Sequence, residues 1–507
     1  MSRRATLAVL LAVACGALEP AQASLLDAGG ATATAASRSA AEDARILQLA
    51  RRATFGATTE LVDEIRAVGR AGWLATQLVP QSIDDPALTA RLAAYPALDM
   101  DSATLLASYP QPKNAMGMDV IGLPGRVLAE VSADVVTRAV HARAQLAEVM
   151  TDFWLSHFNV YGAEGPTRWT CVAWLRDTIR PRALGRFRDL LGATASSPAM
   201  LYYLDNYLST APGAPTRRRS AGVNENYARE LMELHTLGVT GGYTQQDVEQ
   251  VARVFTGWTI TPQRSGRIEF VYVPALHDAG DKTVLGRRIA SGGRAEGEAV
   301  LDLLARAPAT AEHVVRKLVS RFVADVPPES LVQRAKGVWL ASDGDLAAVM
   351  RTILESDELF APASRAAKVK SPLELVASAL RAAGADVRLG FGAAKLVASL
   401  GQPILRAEPP TGWAETADAV VTAGGMVTRF DVATSVARNR VGGARIDTGR
   451  WARLAGGARD VDALAASLLL APPGADTRAA LVDARDAGAA ADVLAALVLS
   501  SPEFQQQ

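Results

Sequence analysis

Along most of the chain apolar residues recur every three or four positions, the spacing of helices that bury one face. In "EDARILQLARRATFG", Ile46, Leu47, Leu49 and Ala50 share one side, and Gly56 marks a C-terminal stop. "TELVDEIRAVGRAGWLATQLV" continues the pattern, residues 110–125 read as a Pro/Gly/Met-rich loop, and helical periodicity resumes over 128–158. In that long stretch Leu146, Val149, Met150 and Phe153 form the apolar stripe. One segment departs from the helical rule. "RIEFVYVPALHDAGDKTVLGRRI" alternates or carries β-branched residues on either side of a Gly/Asp turn at His277–Asp281, which predicts a β-hairpin. Helices return in "TAEHVVRKLVSRFVAD" and "DLAAVMRTILESDELF", and again from "SPLELVASALRAAG" to the C-terminus. The expected fold is mainly α: a multi-helical array with one small β-hairpin near residues 267–290. Residues 43–362 would form the main helical domain with the hairpin, and 363–507 a C-terminal helical section packed on it.

Composition narrows the function classes. The chain has 507 residues, of which 49% are hydrophobic and 21% charged, a globular balance. Lysine plus arginine equals aspartate plus glutamate, 53 each, so no global field attracts nucleic acid or anionic lipid. At the N-terminus Arg3 and Arg4 precede an apolar run, and "AQA" at 21–23 offers small residues at the positions a signal peptidase reads. This predicts a signal peptide over 1–23, a flexible linker over 24–42, and an exported protein, periplasmic or secreted. A lipoprotein site at Cys15 and a twin-arginine route are the weaker alternatives. N-terminal sequencing of exported material should begin at or near Ser24; a lipid-modified Cys15 as first residue would sink that expectation. After cleavage only Cys171 remains, so no internal disulfide is expected. No later run approaches the length needed to span a bilayer.

Candidate chemistry concentrates in "NENYARELMELHTLGVTGGYTQQDV". Asn224 suits an N-cap and "GVTGG" a stop, so residues 225–237 should be helical. At about 100° per residue, Glu225, Asn226, Arg229, Glu230 and Glu233 share a polar face opposite Tyr227, Leu231 and Leu234. His235 falls about 160° from Glu233 and about 140° from Glu230, so this helix alone cannot supply a glutamate–histidine metal pair. Glu225–Arg229 and Arg229–Glu233 are spaced as helix ion pairs, which fits a solvated face. Upstream, a helix ends at Asp205 and Asn206, and a helix–loop–helix hairpin would carry them towards Asn224, Glu225 and Asn226. Two readings are open there. The side chains cap backbone groups, or their oxygens gather around a divalent cation such as Ca²⁺ or Mg²⁺. His157, one turn after Phe153 and Trp154, reads as a core histidine or as a site residue. His277 beside Asp278 reads as turn chemistry or as an acid–base or ligand pair. Trp413, in the Pro-rich loop 401–413, is an anchor of that loop or a surface offered to a ligand. No G-x-S-x-G, Walker A, H-E-x-x-H, C-x-x-C or C-x-x-C-H motif occurs.

Several segments together resemble the bacterial domain-of-unknown-function family 1800. They are "RRATFGAT" (51–58), "FWLSHFNV" (153–160), "YLDN" (203–206), the helix beginning at Asn224, and "ARVFTGW" (252–258). "HDAGDKTVLG" (277–286), "KLVSRFVAD" (317–325), "KSPLELVASALRAAG" (370–384) and "LGQPILRAEPPTGW" (400–413) complete the set. The resemblance covers nearly the whole mature chain and implies an exported, largely helical protein. It implies no particular reaction. It also implies a partner, a sulfatase-like protein of unknown-function family 1501. Two functional expectations follow. One is an enzyme of unknown cofactor whose site gathers His157, Arg229, Glu230, Glu233, His235, His277 and Asp278, with Asp205, Asn206, Asn224, Glu225 and Asn226 as the cation-binding group. The other is a helical binding or scaffold partner of that second exported protein.

Overall fold

Helix α1 (Ala35–Ala53) starts inside the stretch expected to be linker, because "AASRSAAEDA" is rich in alanine, the best helix former. It ends where expected. Gly56 has φ of 127°, a region closed to side chains, and a Cβ there would lie 2.6 Å from that of Ser378. The computed structural model describes residues 35–111, 123–215, 222–455 and 460–507. The segment expected to be a signal peptide, the first part of the expected linker and most of the 110–125 loop lie outside the described residues.

The mainly α reading holds. Helix α2 (Leu123–His141) and helix α3 (Gln145–His157) run through the interior. On α3 the predicted stripe is buried, with Leu146, Val149, Met150 and Phe153 all at 2% exposure or less, and most of its other residues are buried too. A helix covered nearly all round is a central one. Helix α4 (Pro308–Phe322) reaches it through Arg321–Asp152 and Lys317–His157, and helix α5 (Pro372–Ala382) packs against α2. Helix α6 (Ala423–Ala437) packs against helix α7 (Ala491–Ser500) in the C-terminal section. Seven tryptophans, Trp73, Trp154, Trp169, Trp174, Trp258, Trp339 and Trp451, are fully buried in a core that runs from α1 to the C-terminal helices. Cys171 is buried and free. Among the described residues no helix is long and apolar enough to cross a membrane.

A small β-hairpin lies within the expected segment 267–290, and two further short strand pairs accompany it. Strand β1 (Trp258–Ile260) pairs antiparallel with β2 (Phe270–Tyr272), and β3 (Lys282–Val284) pairs with β4 (Arg287–Ile289). The two halves of the predicted hairpin therefore pair with other partners, and the His277–Asp281 turn joins two ribbons. The reason is local at the second ribbon. Leu285 and Gly286 have φ of 49° and 73°, the two left-handed residues that a tight two-residue hairpin turn requires. A third short pair, β5 (Asp386–Val387) with β6 (Ala444–Arg445), lies in the C-terminal section and has no counterpart in the sequence reading.

Candidate functional site

The polar helix beginning after Asn224 is not a uniform α-helix. It is α-helical over Asn226–Glu230 and widens to a π-turn over Leu231–Thr236, where the Thr236 hydroxyl donates to the Leu231 carbonyl at 2.6 Å. The Asn224 side chain accepts from the Asn226 amide at 2.9 Å, in the capping role. Asp205 and Asn206 do approach it. The Asn224 and Asn226 amides reach the carbonyls of Asp205 and Leu204, each at 3.4 Å, while Asp205 itself sits in the left-handed region at φ 60°. The contacts run through backbone carbonyls. Asn206 is buried and donates instead to the carbonyls of Phe255 and Trp258. Glu225 pairs with Arg229 at 3.1 Å, and both bond Gln245. Among the described residues no three His, Cys, Asp or Glu side chains form a metal-binding group.

Glu233 accepts from the Tyr243 hydroxyl at 3.2 Å, and Glu230 lies half-buried nearby. Burial, then the Glu233 charge, raises the Glu230 carboxyl above the ordinary range.

The π-turn carries His235 into the core, 1% exposed, and its ring centre lies 6.3 Å from that of His157. Two histidines cap this helix end. His157 Nε2 donates to the His235 carbonyl and His313 Nε2 to the Leu234 carbonyl, both at 3.1 Å, satisfying groups left without helical partners. With its Nε2 protonated, neutral His157 accepts at Nδ1 from Lys317 Nζ at 3.0 Å. Burial, then the Lys317 charge, holds His157 well below the usual histidine range and pushes His235 down to about 3. Burial lowers Lys317 too. His235 Nε2 is buried without a partner among the described residues.

His277 and Asp278 belong to a different network. His277 contacts the Thr256 carbonyl at 2.9 Å and Glu296 at 3.1 Å, and buried Lys282 pairs with the other Glu296 oxygen at 2.6 Å. Glu296 also accepts from the Gly292 and Gly293 amides at its helix start. Asp278 takes a two-pronged contact from Arg253 at 2.8 and 3.1 Å and accepts from the Gly280 amide. The expected gathering of His277 with His157 and His235 is therefore not made; only the latter two meet.

The strongest site is one that sequence reasoning passed over. Along α3 and just past its end, Asp152, Ser156 and Asn159 fall at spacings of four and three, on the side away from Phe153 and Trp154. They line a narrow open cleft with Arg321 of α4 and with Gln402, Trp413 and Glu415. Arg321, 5% exposed, is shared by three carboxylates: Asp152 at 3.1 Å, Glu374 at 2.9 Å and Glu415 at 3.3 Å. Glu374 is fixed from behind by the Ser371 amide at 2.7 Å and by the Gln507 side chain at 2.9 Å. Burial opposes its charge, but Arg321 and these donors leave its carboxyl below the usual range.

Asp152 departs from Glu374 in the direction of its shift. Burial pushes its carboxyl up to about 7; Arg321 opposes the rise while Glu415 and Glu374 add to it. Its side chain keeps 25% exposure on the cleft wall. Lys317, one turn before Arg321, feels the Glu415 charge and so links the histidine pair to the cleft.

The Pro-rich loop is tied down over this site. Asn159 donates to the carbonyls of Ala407 and Pro409, both at 2.9 Å, and Ser156 bonds the Trp413 amide and carbonyl, both at 3.2 Å. Gly412 makes that approach possible, since φ is 72° and a Cβ would meet the Ser156 carbonyl at 2.2 Å. Trp413 is half-buried on the cleft, with its indole nitrogen buried and without an acceptor among the described residues. The available signal was a lone aspartate in the apolar run "EVMTDFWLSHF"; a buried carboxylate there demands a cation from elsewhere.

All four motifs 153–160, 317–325, 370–384 and 400–413 thus meet at one cleft, which is the arrangement expected when separate segments share a site. No curated protein and no solved structure matches the chain. Residues 48–506 match the model described as a protein of unknown function, DUF1800, and the chain belongs to that family.

Proposed function

We propose that this protein is an enzyme whose reaction site is the cleft between Asp152 and Trp413, with Asp152 as its general acid–base group. One observation carries the reading: Asp152 sits on an open cleft while two further carboxylates compete with it for Arg321. A carboxyl poised near neutrality, about 7, can take up and return a proton at little free-energy cost. The side-chain oxygens of Asn159 and Gln402, whose amide nitrogens are tied to the loop, remain to accept hydrogen bonds, and Trp413 offers a flat apolar face. Such a lining suits a small polar substrate, neutral or cationic, with one ring or apolar edge. Lys317 and His157 stand behind the cleft as positioning groups. The location outside the cytoplasm enters this proposal from the N-terminal sequence alone.

Carboxyl-carbon NMR of aspartate-labelled protein tests it. One resonance should titrate near 7 and vanish in Asp152→Asn, and small ligands that move it should be the ones whose turnover this variant loses. If Asp152 titrates in the ordinary aspartate range, the acid–base reading fails.

A further inference from the structure

Hydrogen-bonding capacity along the Asp152 cleft is one-sided. Asn159 is 3% exposed, and its amide nitrogen donates to the Ala407 and Pro409 carbonyls at 2.9 Å each. Two carbonyl acceptors fix which way that amide points, so the atom left over is its oxygen. This oxygen has no hydrogen-bond partner among the described residues and is not sealed from solvent, so it opens on the cleft that Asn159 lines. Gln402 repeats the arrangement, with its nitrogen on the Ala414 carbonyl at 3.2 Å and its oxygen unpaired among the described residues. Asp152 meets Arg321 through Oδ2 and Glu415 meets it through Oε1, which leaves Oδ1 and Oε2 to accept. The donors nearby are spent. The Ser156 hydroxyl donates to the Trp413 carbonyl at 3.2 Å, and Arg321 gives Nη1 and Nη2 to Glu415, Asp152 and Glu374. Lys368 is taken by Asp325 and the Glu415 carbonyl, and Lys317 by His157 Nδ1. Arg321 is the one cation lining the cleft, and Trp413 adds an aromatic face.

We infer that this cleft receives the head group of a small organic cation that carries N–H groups, a primary ammonium or a guanidinium. Its N–H groups would meet the unpaired oxygens of Asp152, Asn159, Gln402 and Glu415, and its charge the two carboxylates and the indole. An anion would face carboxylates, and a neutral amide would bring an acceptor of its own with little left to donate to it. Free space in the cleft is about 50 Å³, which admits a head group little larger than a water and leaves the rest of the ligand outside. The inference rests on the cleft being the reaction site, and it narrows the substrate class to amines and guanidino compounds.

Carboxyl-carbon NMR of the whole protein, labelled at aspartate and glutamate, tests it by titration with millimolar methylammonium and guanidinium at constant ionic strength. Urea serves as the neutral counterpart of guanidinium. The Asp152 and Glu415 resonances should move saturably with at least one of the cations and stay still with urea. Glu415→Gln keeps the shape and removes one charge, so it should weaken that binding about tenfold, as loss of a charged hydrogen bond does, read from the Asp152 resonance. The wild-type comparison of guanidinium with urea stands even if the variant misfolds. The inference is overturned if neither cation binds saturably, if urea binds as well as guanidinium, or if Glu415→Gln binds as tightly as wild type. Asp152 titrating near 7 with neither cation bound would sink this inference alone. A bound cation beside an Asp152 that titrates in the ordinary range would sink only the acid–base role.

Discussion

Arg321→Met should destabilise the protein by about 3–5 kcal/mol, the cost of removing one partner from a buried ionic group. Methionine fills much of the same volume, so lost packing is a small part of that figure. The larger part comes from Asp152, Glu374 and Glu415, which would face one another without the guanidinium they share. The sign of the pH response distinguishes this from a simple cavity effect. In the wild type, Glu374 is held below the usual range and contributes stability that is lost as pH falls through its folded value. Asp152 is raised to about 7, so its native form binds the extra proton and stability declines as pH rises towards that value. Without Arg321 the Asp152 and Glu374 carboxyls lose the charge that lowers both, and the variant should regain stability steeply as the solution is made acidic. Urea unfolding of both proteins across this range would show it. A deficit independent of pH would mean that Arg321 acts through packing and not through charge.

The Lys282–Glu296 pair should respond as sharply. Lys282→Met leaves Glu296, 1% exposed, with His277 and two backbone amides but no close ammonium, at a cost of about 3–5 kcal/mol. Adding Glu296→Gln removes the stranded charge yet keeps an oxygen for the Gly292 and Gly293 amides. The double variant should therefore lose less than the sum of the single losses, with coupling of about 0.5–3 kcal/mol. Burial works to raise the Glu296 carboxyl, and Lys282, the Gly292 amide and His277 outweigh it, so the group ends below the usual range. Its contribution is present above the normal glutamate range and fades as pH falls through the folded value. Unfolding curves for the four proteins decide the matter. Strict additivity would show that the two side chains do not sense each other.

Both networks were invisible from the sequence for the same reason. Asp152 and Arg321 stand 169 residues apart, and Arg321 and Glu415 a further 94. Periodicity reports which side of a helix is apolar, not which other helix that side meets. The histidines show the same limit. A uniform α-helical count turned His235 away from the Glu230–Glu233 stripe, but the π-turn over Leu231–Thr236 decides where it goes, and His157 and His313 supply caps from distant helices. The small β-hairpin expected near 267–290 is present at Lys282–Ile289, and only its turn lies elsewhere than expected. Strand propensity was present on both sides of the His277 turn, yet the partners were chosen by Trp258–Ile260 and by the left-handed Leu285–Gly286 pair.

What the sequence determined by itself is local: the mainly α class, the buried stripe of α3, the stop at Gly56, the Glu225–Arg229 pair and the approach of Asp205 to Asn224. These depend on neighbours three to five residues away or on one short hairpin, where chain geometry leaves few choices. Tertiary structure alone decided that Asp152, Glu374 and Glu415 share one guanidinium, that Lys317 meets His157, and that Trp413 closes over Ser156. A buried carboxylate announces the need for a cation. Only the packing of helices distant in the chain settles which cation answers it.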